Sequence, residues 1–376
     1  MITLLIPTLN RSEFVIQYLR YLQLTQFRGC VWIGDSSEAW HLRRTKRAID
    51  RLRAQTISYE IIHQEYPGKK HYECIAAFLP SVTTPYVTFT GDEDFIVPST
   101  AERCMEFLDA YPDYAAATGI GISLKLSCDG AYGPVDWAAP YRLRSIESQT
   151  ASERLIDLFN DYVVAAYAVS RTEQFRERWL SSAPLFTDSS FAVELFPCGL
   201  MAVQGKIKRL EALFVGRLLH DQRYPLPDPF DWIASPDWST SYAVFRERLA
   251  EAVAERDGTT INKARDVVKE ACWLFLANGL TIRLARKRAQ AGPAVSGVER
   301  RLRDLPVVRS AWYRARMALP GASTKIALEA LLHRGSPYHR DFLPIYRTVT
   351  SAPDELWSAF ADTPSPSAAV PIEVGS

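Results

Sequence analysis

Short β-branched runs alternate with amphipathic stretches through the N-terminal part of the chain. Ile2–Ile6 is an apolar run closed by Pro7, and the spacing of Phe14, Tyr18, Leu19 and Leu22 predicts a helix behind it. Val31–Ile33 predicts a second strand ending at Gly34-Asp35, the charged stretch Ala39–Arg53 an exposed helix, and Thr56–Ile62 a third strand. Gly68 opens a further helix through Phe78, with Ile75, Ala76 and Leu79 on its apolar side. Pro85–Phe89 predicts a fourth strand, running into Thr90-Gly91-Asp92-Glu93-Asp94. This alternation predicts an α/β fold, a mostly parallel sheet flanked by helices.

Further along, the apolar, glycine-punctuated run Tyr114–Leu126 is expected in the same sheet, and Asp161–Val169 as a long strand. Ser189–Gln204 predicts a helix stopped by Gly205 in the C-cap place, and Lys206–Val215 a closing strand. Pro225, Pro227, Pro229 and Pro236 mark a boundary, and from Ser241 to about Phe360 the apolar spacing is helical. The expected organisation is therefore an α/β domain over 1–225 and a helical C-terminal region over 226–362. The Pro-, Ser- and Ala-rich residues 363–376 predict a disordered tail.

Composition narrows the function classes. The 376 residues carry 44 Lys plus Arg against 43 Asp plus Glu, a net charge of +1. So balanced a surface has no general attraction for nucleic acid or anionic lipid, and any phosphate affinity must come from a local site. No stretch of about 18 apolar residues occurs. The most apolar helical candidate, Ala271–Ala285, contains Asn278 and Arg283 and precedes Arg286-Lys287-Arg288. It reads as a packed helix, with a peripheral membrane contact as the lesser option. The N-terminus has no basic region before its apolar run and reads as a strand, with a signal peptide as the lesser option. Six scattered cysteines without a CxxC pair argue against a disulfide scaffold and fit a reducing, cytoplasmic setting.

In open α/β sheets, ligands collect beyond the carboxyl ends of the strands. Three such ends carry polar groups: Pro7-Thr8-Leu9-Asn10-Arg11, Gly34-Asp35-Ser36-Ser37 and Gly91-Asp92-Glu93-Asp94. Carboxylates as close as Asp92, Glu93 and Asp94 repel one another unless protons or a cation neutralise them, and a hard divalent ion accepts such oxygens. A solvated acidic turn is the alternative.

Taken in order, these motifs resemble those of family 2-type glycosyltransferases with a GT-A fold, in their divergent bacterial branch. The resemblance runs through Ile6–Arg11, Gly34–Ser37, Pro67-Gly68-Lys69-Lys70 with Cys74–Ala77, and Pro85–Asp94, and covers roughly residues 1–222. It implies a nucleotide-sugar donor, UDP-linked by preference, and a glycan or polysaccharide acceptor. Pro7, Thr8, Asn10, Arg11, Asp35, Lys69, Asp92 and Glu93 would then lie along the nucleotide sugar, with Asp35 toward the base. Asp92 and Asp94 would hold Mn²⁺ or Mg²⁺, and His220 would contact the metal or diphosphate, unless it is a packing residue. The chain departs from the family in having Ser36 after Asp35 and Gly91 before Asp92, where acidic residues are frequent.

The resemblance also implies an inverting reaction with a carboxylate base ahead of the Gly205-Lys206 pair. Glu194 stands first for that role; Asp188 competes with it and could equally cap the helix. Arg217 and Arg223 could neutralise diphosphate, as could Lys69, Lys70 and His71 at a helix N-terminus. A sugar nucleotidylyltransferase is a second reading, although Pro7–Arg11 lacks the glycine-rich loop expected of one. A third is a glycan- or nucleotide-binding protein without turnover.

Overall fold

The first two strands are buried on both faces: Leu4, Leu5 and Ile6 in one, Val31, Trp32 and Ile33 in the other. That is why they read as unbroken apolar runs and not as alternation. The computed structural model describes residues 1–55, 57–182, 185–220, 228–290 and 326–351. Its N-terminal elements are β1 (Ile2–Thr8), α1 (Ser12–Leu24), β2 (Cys30–Asp35), α2 (Ala39–Arg53), β3 (Glu60–Glu65), α3 (His71–Phe78), β4 (Tyr86–Phe89) and β5 (Asp94–Ile96). Then come α4 (Pro98–Ala110), β6 (Tyr114–Leu126), β7 (Val135–Tyr141), α5 (Ala151–Asn160), β8 (Val169–Arg171), α6 (Thr172–Ser182), α7 (Phe196–Gln204) and β9 (Lys206–Leu219). The C-terminal helices are α8 (Pro229–Ala234), α9 (Pro236–Asp257), α10 (Ile261–Gln290), α11 (Leu328–Leu332) and α12 (His339–Thr350).

The strands described form one sheet in the order β3-β2-β1-β4-β8-β6-β9-β5, with β7 on β6. The pairs β3–β2, β2–β1, β1–β4 and β6–β9 are parallel, whereas β8, β5 and β7 run antiparallel to their neighbours. The expected class, α/β with a mostly parallel sheet flanked by helices, is the one observed. Because β1, β2 and β4 run the same way, their carboxyl ends meet at one rim.

Alternate residues of each strand feed two cores. Ile2, Leu4, Ile6, Val31 and Ile33 pack with α1, α2, α4 and α12; Leu5 and Trp32 pack with α3, α5, α6, α7, α9 and α10. The C-terminal helices thus complete both layers over the sheet. Phe245 of α9 meets Phe159 of α5 with ring centroids 5.9 Å apart. Ile345 of α12 packs over Gly216, where a β-carbon would come within 2.9 Å of Ile345 Cδ1.

Several boundaries differ from the sequence reading. Asp161–Val169 is not a strand: Ala165–Tyr167 forms a 3-10 turn and only Val169–Arg171 pairs in the sheet. Ala165, Ala166 and Tyr167 are all buried in succession, and Thr88 Oγ1 donates to the Tyr167 carbonyl at 2.6 Å, so this run plugs the core without laddering. The third strand begins later, at Glu60, and ahead of it Ser58 Oγ donates to the Phe27 carbonyl (2.7 Å). The following helix starts at His71 and not Gly68, whose φ of +74° belongs to a turn closed by Lys69 N–H on the Tyr66 carbonyl. Ser189–Gln204 contains a π-helical turn, Phe191–Leu195, ahead of α7. The short strand β5 and the strand β7 were not anticipated. Arg223, Pro225, Pro227, Arg300, Arg301, Arg314, Arg316 and the 363–376 tail lie outside the described residues. Among those described, no helix is long and apolar enough to cross a membrane.

Candidate functional site

The rim is assembled from loops that side chains lock together. Thr8, the last residue of β1, stands in register with Asp35 at the end of β2. Beyond it Asn10 takes a left-handed φ of 55°, a conformation asparagine tolerates better than most residues. Its N–H donates to Ser37 Oγ (2.7 Å) and its Oδ1 accepts from Glu38 N–H (2.8 Å), tying the β1 end to the β2 end. Thr8 Oγ1 donates to Asp92 Oδ2 at 2.6 Å, tying β1 to the loop after β4. Arg11, at the start of α1, places Nη1 3.3 Å from Asp92 Oδ1 and 3.4 Å from Glu93 Oε2.

Asp35 lies buried beside this junction. Its Oδ1 accepts from Ser37 N–H (3.0 Å) and its Oδ2 sits 3.1 Å from His63 Nε2, a residue the sequence did not single out. His63 arrives there because β3 pairs in parallel with β2, where it stands in register with Ile33, two residues before Asp35 and on the same face of the sheet. Pro7 is in register with Gly34 within the strands, and Lys69 is exposed with its Nζ 5.6 Å from the Tyr66 ring centroid.

The three acidic residues are held differently. Burial and the Glu93 charge push the Asp92 carboxyl well above its ordinary range, with Arg11 and Thr8 pulling against them. Burial acts the same way on Glu93, but His220, Asp92 and Arg11 together hold it well below. The two carboxyls thus titrate as one pair, Asp92 pushed up and Glu93 held down. Gly91 makes room for this: a β-carbon there would lie 2.8 Å from Glu93 Oε2 and 3.4 Å from Asp94 Oδ2. His220, buried against Phe14 with ring centroids 4.6 Å apart, has Nε2 3.7 Å from Glu93 Oε1. Neither of its ring nitrogens has a hydrogen-bond partner among the described residues.

Asp94 belongs to the antiparallel strand β5, whose register sets it opposite Arg217 of β9. Arg217 Nε lies 3.2 Å from Asp94 Oδ2. The guanidinium carbon stands 4.5 Å from the Tyr141 ring centroid and 5.3 Å from that of Tyr167, contacts worth about 0.5–2 kcal/mol each. No sequence signal marks either tyrosine: Tyr167 sits in an apolar run that reads as strand, and the segment of Tyr141 carries no pattern that singles it out.

Glu194 occupies the π-helical turn before α7, where Phe196 N–H reaches back to the Phe191 carbonyl. Pro197 follows, and lacking an N–H it cannot supply the next helical bond, which favours the wider turn. Burial raises the Glu194 carboxyl, while the neighbouring Tyr162 hydroxyl and Arg217 lower it; the net shift is upward. Asp188 is engaged elsewhere. Its Oδ1 accepts from Ser190 N–H (2.8 Å) and Phe191 N–H (3.2 Å), and its Oδ2 from Trp232 Nε1 (2.8 Å). It caps the helical segment and anchors α8.

The divalent cation implied by the resemblance does not fit these donors as they stand. Among the described residues, no three His, Cys, Asp or Glu side chains form a group able to hold a metal ion. Asp92, Asp94 and His220 are expected together but hold separate partners: Asp92 lies with Thr8 and Arg11, Asp94 with Arg217, and His220 beside Glu93. A shallow depression of about 480 Å³ near the start of β9 is a different place, lined by Arg144, Lys208 and Arg209 among others. There the cations already pair with Asp157, Glu147 and Glu211.

No family model matches the chain, and no curated protein matches it. Solved structures similar to it include S. aureus TarS, at 10% identity over 72% of this chain and 42% of that one, with a TM-score of 0.44. The chain therefore spans less than half the length of that structure. TarS 1–349 in complex with UDP is 11% identical over 78% of this chain and 75% of that chain, with a TM-score of 0.45. Its complex with UDP-GlcNAc is 14% identical over 73% and 72%, with a TM-score of 0.44.

Proposed function

We propose that the protein is a glycosyltransferase that takes a sugar from a nucleotide-sugar donor, UDP-linked by preference, and transfers it to a glycan hydroxyl. The observation that carries this reading is the joining of three strand ends at one rim. Thr8 and Arg11 reach Asp92 and Glu93, and Asn10 reaches Ser37. Motifs that are weak apart in sequence meet where an α/β sheet places its ligands. Asp35, with His63, lies on the side suited to the base, and the acidic turn on the side suited to the sugar diphosphate.

Glu194 is the proposed base. A carboxyl whose affinity for protons is raised by burial accepts the acceptor's proton more readily near neutral pH than an exposed one. As the acceptor oxygen bonds to the anomeric carbon, the bond to the diphosphate oxygen breaks on the opposite face and its electron pair leaves with the nucleotide. The product is inverted.

The test is release of nucleoside diphosphate from UDP-, GDP- and dTDP-sugars, with and without glycan acceptors, alongside thermal stabilisation by each donor. Stabilisation by one donor class, with acceptor-dependent release, is expected. Pyrophosphate formed from a nucleoside triphosphate and a sugar phosphate would indicate a nucleotidylyltransferase. Donor binding without turnover across a broad set of acceptors would indicate a binding protein.

A further inference from the structure

On the donor-binding reading above, we propose that the diphosphate's charge is met by two guanidinium groups, Arg11 and Arg217, and that donor binding and transfer need no divalent cation. The side chains of Asp92 and Asp94 are 3% and 0% exposed, while those of Arg11 and Arg217, paired to them, are 20% and 19% exposed. An anion arriving from solvent therefore meets guanidinium first, with the carboxylates sealed behind. A cation seated on those carboxylates would have to displace both arginines and strip two buried ion pairs.

The arrangement suits phosphate in its own right. Arginine presents a planar fork of donors that matches phosphate oxygens, and its charge does not titrate in the working range. Arg217 is held by Asp94 on one side and by the rings of Tyr141 and Tyr167, so little side-chain freedom is lost on binding. Arg11 is held by Asp92 and Glu93 together. Asp92 and Asp94 then act as positioning residues that aim the arginines. His220, whose buried ring nitrogens have no hydrogen-bond partner among the described residues, lies beside Glu93 as a further polar group for the same ligand. In the reaction the electron pair of the anomeric C–O bond passes to the diphosphate oxygen, where the two arginines stabilise it. The acceptor's proton passes to Glu194.

Titration calorimetry on the full chain with UDP, and with GDP as a second base, tests this in EDTA and again in Mn²⁺. One nucleotide is expected to bind with the same Kd in both buffers, within about twofold. Arg11→Gln and Arg217→Gln are each expected to weaken it by about tenfold or more, the scale of one charge-assisted bond. Arg217→Lys should fall between, keeping charge without the fork, and Arg209→Gln, which only breaks the pair with Glu211, should bind as the parent does. Binding lost in EDTA and recovered in Mn²⁺ overturns the proposal; this comparison uses the parent chain alone and does not depend on any variant folding. If neither nucleotide binds in either buffer, the donor-binding reading falls too.

Discussion

Thr8 Oγ1 donates to Asp92 Oδ2 at 2.6 Å across the end of the parallel β1–β4 pair. Both side chains are buried, so neither group can exchange its partner for water. Thr8→Val keeps the shape and removes the donor, which is expected to cost about 1–3 kcal/mol. Thr8→Ser should restore most of it. Urea unfolding of the three proteins measures this, and a Thr8→Val chain as stable as the parent would deny the bond any weight.

Glu194 and Asp188 are separable by the direction in which each variant moves activity and stability. Burial raises the Glu194 carboxyl in the folded state, so its ionisation works against folding as pH rises through that value. Glu194→Gln is therefore expected to be as stable as the parent at pH 7 or more so, while transfer falls by about 10²- to 10⁴-fold. The acid limb of the rate profile should lie above the ordinary glutamate range. Asp188→Ala loses the cap and the Trp232 bond and should cost about 1–2 kcal/mol, with activity per folded molecule retained. Thermal unfolding measured beside initial rates tells the two apart, and the opposite pattern would exchange their roles.

Asp257, at the end of α9, caps the start of α5 from a distance in sequence. Its oxygens accept from Ala151 N–H (2.7 Å), Ser152 N–H (2.9 Å) and Ser152 Oγ (2.6 Å). Burial raises this carboxyl, but those bonds prevail and it sits below the ordinary aspartate value of 3.8. A depressed carboxyl contributes stability that is fully present above its unfolded value and lost as pH falls through the folded one. Asp257→Asn is expected to cost about 1–2 kcal/mol at pH 7 and much less in acid below both values. Unfolding free energies of the two proteins should converge as pH drops through the aspartate range; parallel curves would contradict the assignment.

The parts of the site that were legible are those a single strand end carries. Pro7–Arg11, Asp35–Ser37 and Gly91–Asp94 each follow an apolar run whose stopping point shows in the sequence, and Ala39–Arg53 is a helix with the bounds its charge pattern predicted. Ala165–Tyr167 reads as strand but forms a 3-10 turn, because an apolar run has the same appearance whether it ladders or plugs a core. Tyr141, Tyr167 and His63 gave no signal at all. What makes them part of the site is the register of strands distant in sequence.

Local sequence thus determined the alternation of strand and helix, the layers of apolar residues, and the polar groups waiting at the rim, because burial periodicity and turn chemistry act over a few residues. Which carboxylate meets which cation was decided only by the tertiary fold. The antiparallel step from β5 to β9 sets Asp94 against Arg217, and the turn at Asn10 brings Arg11 over Asp92. Pairings of this kind depend on side chains some eighty to a hundred and twenty residues apart, and no pattern within either segment encodes the other.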